Sequence, residues 1–136
     1  MRNIVVLVNE RPESRAALQW ALNASTALRM TGGGSGELTL HVVLGPSTDI
    51  PGGPRYVSPT LVDEITAQLR GTAVSHEIHS RSADPAHGVI ELAEDVNADL
   101  VVIGMQKRSP TLKLFMGSHT RDILVDAPCP VVSVKE

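Results

Sequence analysis

The segment best suited to chemistry in this sequence is Gly117-Ser118-His119-Thr120. A glycine lets the backbone approach a ligand closely, and serine is a favoured N-cap for the helix that we predict over residues 118–126. The N–H groups that follow point outward beside the positive end of the helix dipole, as an anion site requires. The same residues also fit a capped helix that binds nothing, with His119 as an exposed first-turn histidine. The local pattern therefore leaves a phosphate site and a bare helix start both open.

Other chemically capable residues give weaker patterns. His76 and His79 have opposite parity on a predicted strand, so they point to opposite faces and do not share a metal ion. Ser118 and His119 are adjacent on a helix and do not face each other, and the sequence shows no acid that would orient the histidine. Cys129, between two prolines, reads as a small buried hydrophobe with an inert thiol. The sequence thus predicts neither a metal site nor catalytic residues.

Strand-like and helix-like patterns alternate along the chain. The strands, which are short and rich in β-branched residues, are predicted over 4–8, 38–44, 72–80, 100–104 and 131–134. The helices are predicted from Pro12 to Leu28, over 60–69, from Pro85 to Val96 with Asp84 as cap, and over 118–126. Trp20 is expected to anchor the core from the first helix. The proline-rich stretch 45–59 is expected to lack regular structure, as a flap or a binding loop.

This alternation predicts an α/β fold, a doubly wound five-stranded parallel sheet with helices on both faces. In such sheets the ligand crevice lies beyond the carboxyl ends of the strands, where the strand order reverses. Here that point falls at the tips of the first and fourth strands. The segments 9–13 and 104–118 are therefore expected to face one another.

Length and composition narrow the range of functions. The 136 residues fit a single domain, 1–136, and the net charge of −3 with no basic run argues against nucleic acid or an anionic membrane as partner. Trp20, Tyr56 and Phe115 are the only aromatics, which disfavours base stacking. Because Cys129 stands alone and no signal peptide or membrane span is recognisable, we expect a cytoplasmic location.

The order and spacing of these pieces resemble the universal stress protein family over essentially the whole chain. The matching segments read Ala-Asp-Leu-Val-Val-Ile-Gly at 98–104 and Ala-Pro-Cys-Pro-Val at 127–131. The family's adenine-nucleotide signature is Gly, two residues, Gly, nine residues, Gly, then Ser or Thr. Gly104 opens this signature here and Gly117-Ser118 closes it, with Lys107 at the position of the second glycine.

The resemblance implies a Rossmann-like fold of the adenine nucleotide alpha hydrolase-like type, with strand order 3-2-1-4-5. It also implies a homodimer formed through the last strand, here Val131, Val132, Ser133 and Val134. Some members of the family bind ATP or a related adenine nucleotide and others bind none. The nucleotide-binding positions implied for this chain are Val8, Asn9, Gly104, Lys107, Gly117, Ser118, His119 and Thr120.

Two departures from the family pattern bear on nucleotide binding. Where the family has Asp-Gly-Ser after the first strand, this chain has Asn9-Glu10-Arg11, which keeps an acceptor oxygen but removes a charge. Lys107 in place of glycine either strains the backbone, which obstructs binding, or adds a cation beside the phosphates, which reinforces it.

Two functions from different classes follow. In the first, the chain is a stress-response module that binds an adenine nucleotide without efficient catalysis. In the second, it is a dimeric interaction protein whose crevice stays empty. Slow nucleotide hydrolysis is a weaker third reading. The retained Gly104, Gly117 and Ser118 favour the first of these, whereas Asn9, Glu10 and Lys107 favour the second.

Overall fold

The computed structural model describes residues 2–30, 38–45, 59–79, 84–106 and 118–136, and side chains within these ranges except those of residues 29, 30 and 118. Strands and helices alternate without exception along these ranges. Their bounds are β1 Asn3–Val8, α1 Pro12–Met30, β2 Thr39–Leu44, α2 Pro59–Arg70, β3 Ser75–His79, α3 Pro85–Asp95, β4 Leu100–Met105, α4 Ser118–Asp126 and β5 Val131–Lys135.

The five strands form one parallel sheet in the order β3-β2-β1-β4-β5. This confirms the predicted doubly wound sheet and its strand order. The chain moves outward from β1 in one direction through β2 and β3, then returns to the other side of β1 with β4. The order therefore reverses between β1 and β4, and the carboxyl ends of these two strands border the crevice.

Helices cover both faces of the sheet because its central strands are apolar on both sides. On one face Ile4 and Val6 of β1 pack with Leu18 of α1 and Ile65 of α2. The other face packs Val5 of β1 against the helices α3 and α4. Strands that are buried on both faces read as continuous aliphatic runs, which explains why β1, β2 and β4 were found so closely from sequence.

The prediction for Trp20 is wrong, because this side chain lies on the outer side of α1 and is 38% exposed. The buried stripe of the helix runs through Ala17, Leu18, Ala21 and Leu22 instead. Leucines at positions 18 and 22 rotate the helix so that the tryptophan, two positions from each, turns toward solvent.

Most elements differ from their predicted bounds by one to three residues, and two of the differences have a local cause. β3 is Ser75–His79, shorter than the predicted 72–80, because residues 72–74 form a bend after α2. Pro59 was expected to deny regular structure, yet it opens α2, where its missing N–H costs no helical hydrogen bond. Of the proposed flap at 45–59, residues 46–58 lie outside the described residues. Within the described ranges, no helix combines the length and apolar character needed to cross a membrane.

Two aspartates, Asp84 and Asp99, stabilise the starts of secondary-structure elements through hydrogen bonds to backbone N–H groups. Asp84 caps α3 as predicted, since its side chain accepts hydrogen bonds from the backbone N–H groups of Ala86 and His87. The Asp99 carboxylate accepts from the N–H groups of Arg2 at 2.7 Å and Asn3 at 3.1 Å, which ties the start of β1 to the start of β4. These two hydrogen bonds hold the pKa of Asp99 below its ordinary value of 3.8.

We expect Asp99→Asn to lower the stability at neutral pH by about 0.5 kcal/mol, a modest value because water screens an exposed carboxylate. A pKa lowered by folding stabilises the native state above the unfolded pKa, and this contribution disappears as the pH falls through the folded value. Urea unfolding from neutral to strongly acidic pH should therefore show the two proteins converging below about pH 4. A difference that stays constant down to the acid limit of folding would contradict this role.

Candidate functional site

The turn from β1 into α1 forms one wall of the crevice and is held by Asn9 and Ser14. The Asn9 Oδ1 accepts from the Arg11 N–H at 2.9 Å, and the Asn9 N–H donates to the Ser14 Oγ at 2.7 Å. The buried Ser14 hydroxyl in turn donates to the Leu7 carbonyl oxygen at 3.3 Å. The side chain and the backbone N–H of Asn9 thus both stabilise the turn at the start of α1. Asparagine side chains often accept hydrogen bonds from the unpaired N–H groups at such positions.

Two charged side chains of this turn form an ion pair. Arg11 Nε lies 2.9 Å from Glu13 Oε1, and Arg11 makes further interactions. Next to the turn, the Val8 carbonyl oxygen accepts from the Gly45 N–H at 2.9 Å. Val8 therefore joins the tip of β1 to the end of β2. Its side chain is fully buried, so only its backbone is available to a ligand.

Gly104 lies where β4 meets the first turn of α1. A Cβ atom at this position would overlap the Glu13 carbonyl group and come within 2.7 Å of the Ser14 nitrogen. Real Cβ atoms essentially never approach backbone this closely. The sequence assigned Gly104 to the nucleotide site. The structure gives it a packing role as well, since only glycine lets α1 start so close to β4.

The helix that follows β4 is α4, which spans Ser118–Asp126 as predicted. Its first turn contains His119, which is exposed, and Thr120, which is half-buried. The His119 Nδ1 lies 3.5 Å from the Asp84 Oδ1 at the start of α3. The sequence offered no acid partner for His119, because the two residues are far apart in the chain and meet only when α3 and α4 pack side by side.

Several predicted site residues lie outside the described part of the chain. These are Lys107 and Gly117, and for Ser118 only the backbone is described. The described members are Val8, Asn9, Gly104, His119 and Thr120. The β1–β4 register brings the first three to one place, because Val6 pairs with Val102 and both strands continue to the crevice. The assignment of these residues to a nucleotide site stays a prediction.

Comparison with known proteins identifies the family. The sequence model for the universal stress protein family matches residues 1–135. The chain belongs to the universal stress protein family. A universal stress protein of Mycolicibacterium smegmatis is 29% identical over 133 residues, which cover 97% of this chain and 96% of the relative.

Solved universal stress proteins share the fold. The protein from Archaeoglobus fulgidus in complex with dAMP superposes with a TM-score of 0.62 at 21% identity, over 99% of this chain and 98% of that one. A member of the family from Arabidopsis thaliana with AMP bound gives a TM-score of 0.63 at 18% identity, over 100% of this chain and 92% of that one. At these identities the likeness establishes the Rossmann-like fold.

Cys129 is half-buried and packs against the core on the α3 and α4 side of the sheet. Burial raises the pKa of its thiol, and the negative charge of Asp99 raises it further. A raised pKa keeps the sulfur as the unreactive thiol at neutral pH. The thiol environment agrees with the inert cysteine expected from the sequence, although Cys129 is half-buried and not buried as predicted.

One group of chemically capable side chains was missed from the sequence. His41, Glu77 and His79 bring three possible metal-ligating atoms within 4.8 Å of one another on β2 and β3. In the sequence, His79 was paired only with His76, its neighbour on the same strand. The missing signal was cross-strand register, since β2 and β3 pair with His41 opposite Glu77. Parity alone would have placed positions 77 and 79 on one face.

Proposed function

We propose that this universal stress protein binds an adenine nucleotide in the crevice between β1 and β4, in a stress-response or signalling role. The main support is that the strand order reverses between β1 and β4, where the Asn9 turn and Gly104 follow the paired residues of these strands and where sheets of this kind hold their ligands. Fold relatives with dAMP and with AMP bound make an adenine nucleotide the first ligand to test.

The start of α4 suits the phosphates. The first N–H groups of a helix have no partner within the helix, and the helix dipole adds positive potential where they point. In our proposal Gly117 and Ser118 approach a phosphate, and the N–H groups up to Thr120 donate to its oxygens. His119 supplies a cation at this end when it is protonated, with Asp84 beside it.

The Asn9 turn suits the nucleoside. Its Oδ1 already accepts from the Arg11 N–H, but an amide oxygen has two lone pairs and can accept a second hydrogen bond. The Nδ2 group can donate, which a family aspartate cannot do. We therefore propose that Asn9 still contacts the sugar or base, without the charge that an aspartate would bring.

Calorimetric titration of the purified protein with AMP, ADP and ATP tests the proposal. We expect one site per chain, with affinity that is modest because Asn9 and Lys107 each depart from the family pattern. A departure that costs about 1.4 kcal/mol lowers affinity tenfold. Lys107→Gly separates the two readings of that residue, since tighter binding means that lysine obstructs the site and weaker binding means that its ammonium contacts phosphate.

Absence of binding by all three nucleotides at millimolar concentration would contradict the proposal, provided that mass spectrometry of freshly purified protein also finds no nucleotide. That combination would favour the interaction protein with an empty crevice.

We expect no efficient catalysis at this site. His119 and Asp84 are the acid and base that the described residues place at the start of α4, but both are about half exposed and their atoms are 3.5 Å apart. Such a pair lacks the tight, water-excluded geometry that general acid–base catalysis needs. ATP turnover should stay far below about 1 per second, a low value for an enzyme. Turnover at that rate, retained through repurification and lost in His119→Ala, would overturn this expectation.

A homodimer through β5 is the second part of the proposal. β5 is an edge strand, and its outer side offers N–H and C=O groups to a two-fold mate. The Pro130 carbonyl oxygen accepts from the Val101 N–H, and the Glu136 N–H donates to the Met105 carbonyl oxygen. Even-numbered residues of β5 therefore point their backbone groups at β4. Odd-numbered residues point theirs at the open edge.

This alternation tells which substitution tests the dimer. Ser133→Pro removes an outward N–H, and we expect it to weaken the dimer while leaving the β4–β5 pairing in place. Val132→Pro is the matched control, because it removes a hydrogen bond to β4 and should lower the stability of the fold itself. Light scattering that reports an unchanged dimer for Ser133→Pro would assign self-association to another surface.

A further inference from the structure

We propose that His41, Glu77 and His79 form a binding site for a divalent transition-metal ion, with Zn²⁺ as the best-fitting ion. The three residues lie on one face of the sheet at the β2–β3 pair, away from the crevice between β1 and β4. The two strands place them by register, because His41 pairs with Glu77, and Val43, two positions on from His41, pairs with His79.

The spacing of the three donor atoms fits one small ion. His41 Nδ1 lies 3.1 Å from His79 Nε2 and 3.2 Å from Glu77 Oε2, and the third side of the triangle is 3.6 Å. Tetrahedral zinc bound at its usual distances to nitrogen and oxygen holds its ligand atoms about 3.3 Å apart. Two imidazoles and one carboxylate are also a donor set that zinc uses with water in the fourth position.

Asn3 orients His41 for this role. The Asn3 Nδ2 donates to the Val96 carbonyl oxygen at 3.0 Å, which fixes the amide so that its Oδ1 faces His41 Nε2, also at 3.0 Å. His41 Nε2 must then carry the proton, and in the neutral imidazole Nδ1 presents its lone pair toward Glu77 and His79. Metal-binding histidines are held in this way, with the second ring nitrogen donating to an oxygen.

Burial differs among the three ligands in a way that suits metal entry. His41 is only 4% exposed, so its ring is held in place by the surrounding sheet. The Glu77 side chain is 60% exposed and that of His79 is 21% exposed, which opens the site to solvent on one side. An ion can enter from that side and keep a water there. Once bound, it would join β2 to the edge strand β3.

A shared proton is the alternative explanation for the short distances between these three side chains. A proton between His41 and His79, or between His41 and Glu77, would also hold these atoms at hydrogen-bond distance. The two states differ in their response to zinc. A proton-bridged cluster needs no metal, whereas a metal site binds one ion per chain with an affinity that depends on all three ligands.

The test is calorimetric titration of untagged, chelator-treated protein with Zn²⁺, together with visible absorption of the Co²⁺ form. We expect one ion per chain and the intense absorption of four-coordinate Co²⁺. Glu77→Gln changes an exposed residue and should leave the fold intact while weakening Zn²⁺ binding by about 100-fold or more, since losing a ligand costs at least as much as losing a residue that supports one. His79→Gln should do the same. Asn3→Ala should cost about 10- to 100-fold by releasing His41.

Two histidines outside the cluster serve as matched controls. His76 lies on the same strand but points to the other face, where its Nδ1 faces the Val74 carbonyl oxygen, and His87 pairs with Glu91 on the surface of α3. His76→Gln and His87→Ala should leave the affinity unchanged. No binding of Zn²⁺ or Co²⁺ to the parent protein, or binding that survives Glu77→Gln and is lost in either control, would overturn the proposal.

Discussion

Gly104→Ala is expected to lower the free energy of unfolding by about 3 kcal/mol, the upper end of the usual cost of overpacking. The added methyl group would meet the Glu13 carbonyl and the Ser14 nitrogen, which are backbone atoms at the start of α1. Backbone cannot rotate aside as a flexible side chain can, so α1 must move away from β4. Urea denaturation followed by circular dichroism measures the loss.

Gly71→Ala is the matched control for this prediction. A Cβ at Gly71 would lie 3.5 Å from the Gln68 carbonyl oxygen and 3.8 Å from that of Ala67, which are ordinary contacts. We expect its stability to stay within about 0.5 kcal/mol of the parent protein. Equal stability of Gly104→Ala and Gly71→Ala would show that α1 can shift without cost, and that the family glycine at this position is explained by a ligand alone.

Gly117→Val is expected to abolish adenine-nucleotide binding, which in practice means a loss of about 100-fold or more, equivalent to roughly 2.7 kcal/mol. In the proposed site a phosphate must come close to the backbone at this position, and a branched side chain there would compete with it. The measurement is the same calorimetric titration as for the parent protein.

The control for Gly117→Val is again Gly71→Ala, at the far end of α2, which should bind nucleotide like the parent. Circular dichroism must show that Gly117→Val keeps its fold. A folded Gly117→Val variant with undiminished affinity would remove the start of α4 from the site and would favour contacts made by the Asn9 turn.

Much of the fold could be predicted because the local patterns and the tertiary structure agree. The aliphatic run of β1 is buried on both faces, and Asp84-Pro85 starts a helix where cap and proline predict one. Trp20 shows the limit of this reasoning. Its spacing fits one apolar face of α1, but Leu18 and Leu22 define a second face that overlaps it. The tertiary packing buries the leucine face and leaves the tryptophan outside.

The candidate site was only partly predictable, for a different reason. Gly104 was found from its spacing, but its close approach to Glu13 depends on how α1 crosses β4. The pairing of His119 with Asp84 and the grouping of His41 with Glu77 each join residues that are distant in sequence. Such contacts require the register of strands or the packing of helices, which a local pattern does not contain.

Binding of an adenine nucleotide between β1 and β4 can be followed residue by residue in ¹H–¹⁵N correlation spectra during an ATP titration. We expect saturable shifts that concentrate in the Asn9–Ser14 turn, at Gly104 and in the first turn of α4 from Ser118 to Thr120. The amide signals around His41 and Glu77 should stay in place. Spectra that do not change at millimolar ATP, or shifts that gather around β3 instead of the crevice, would contradict binding at this place.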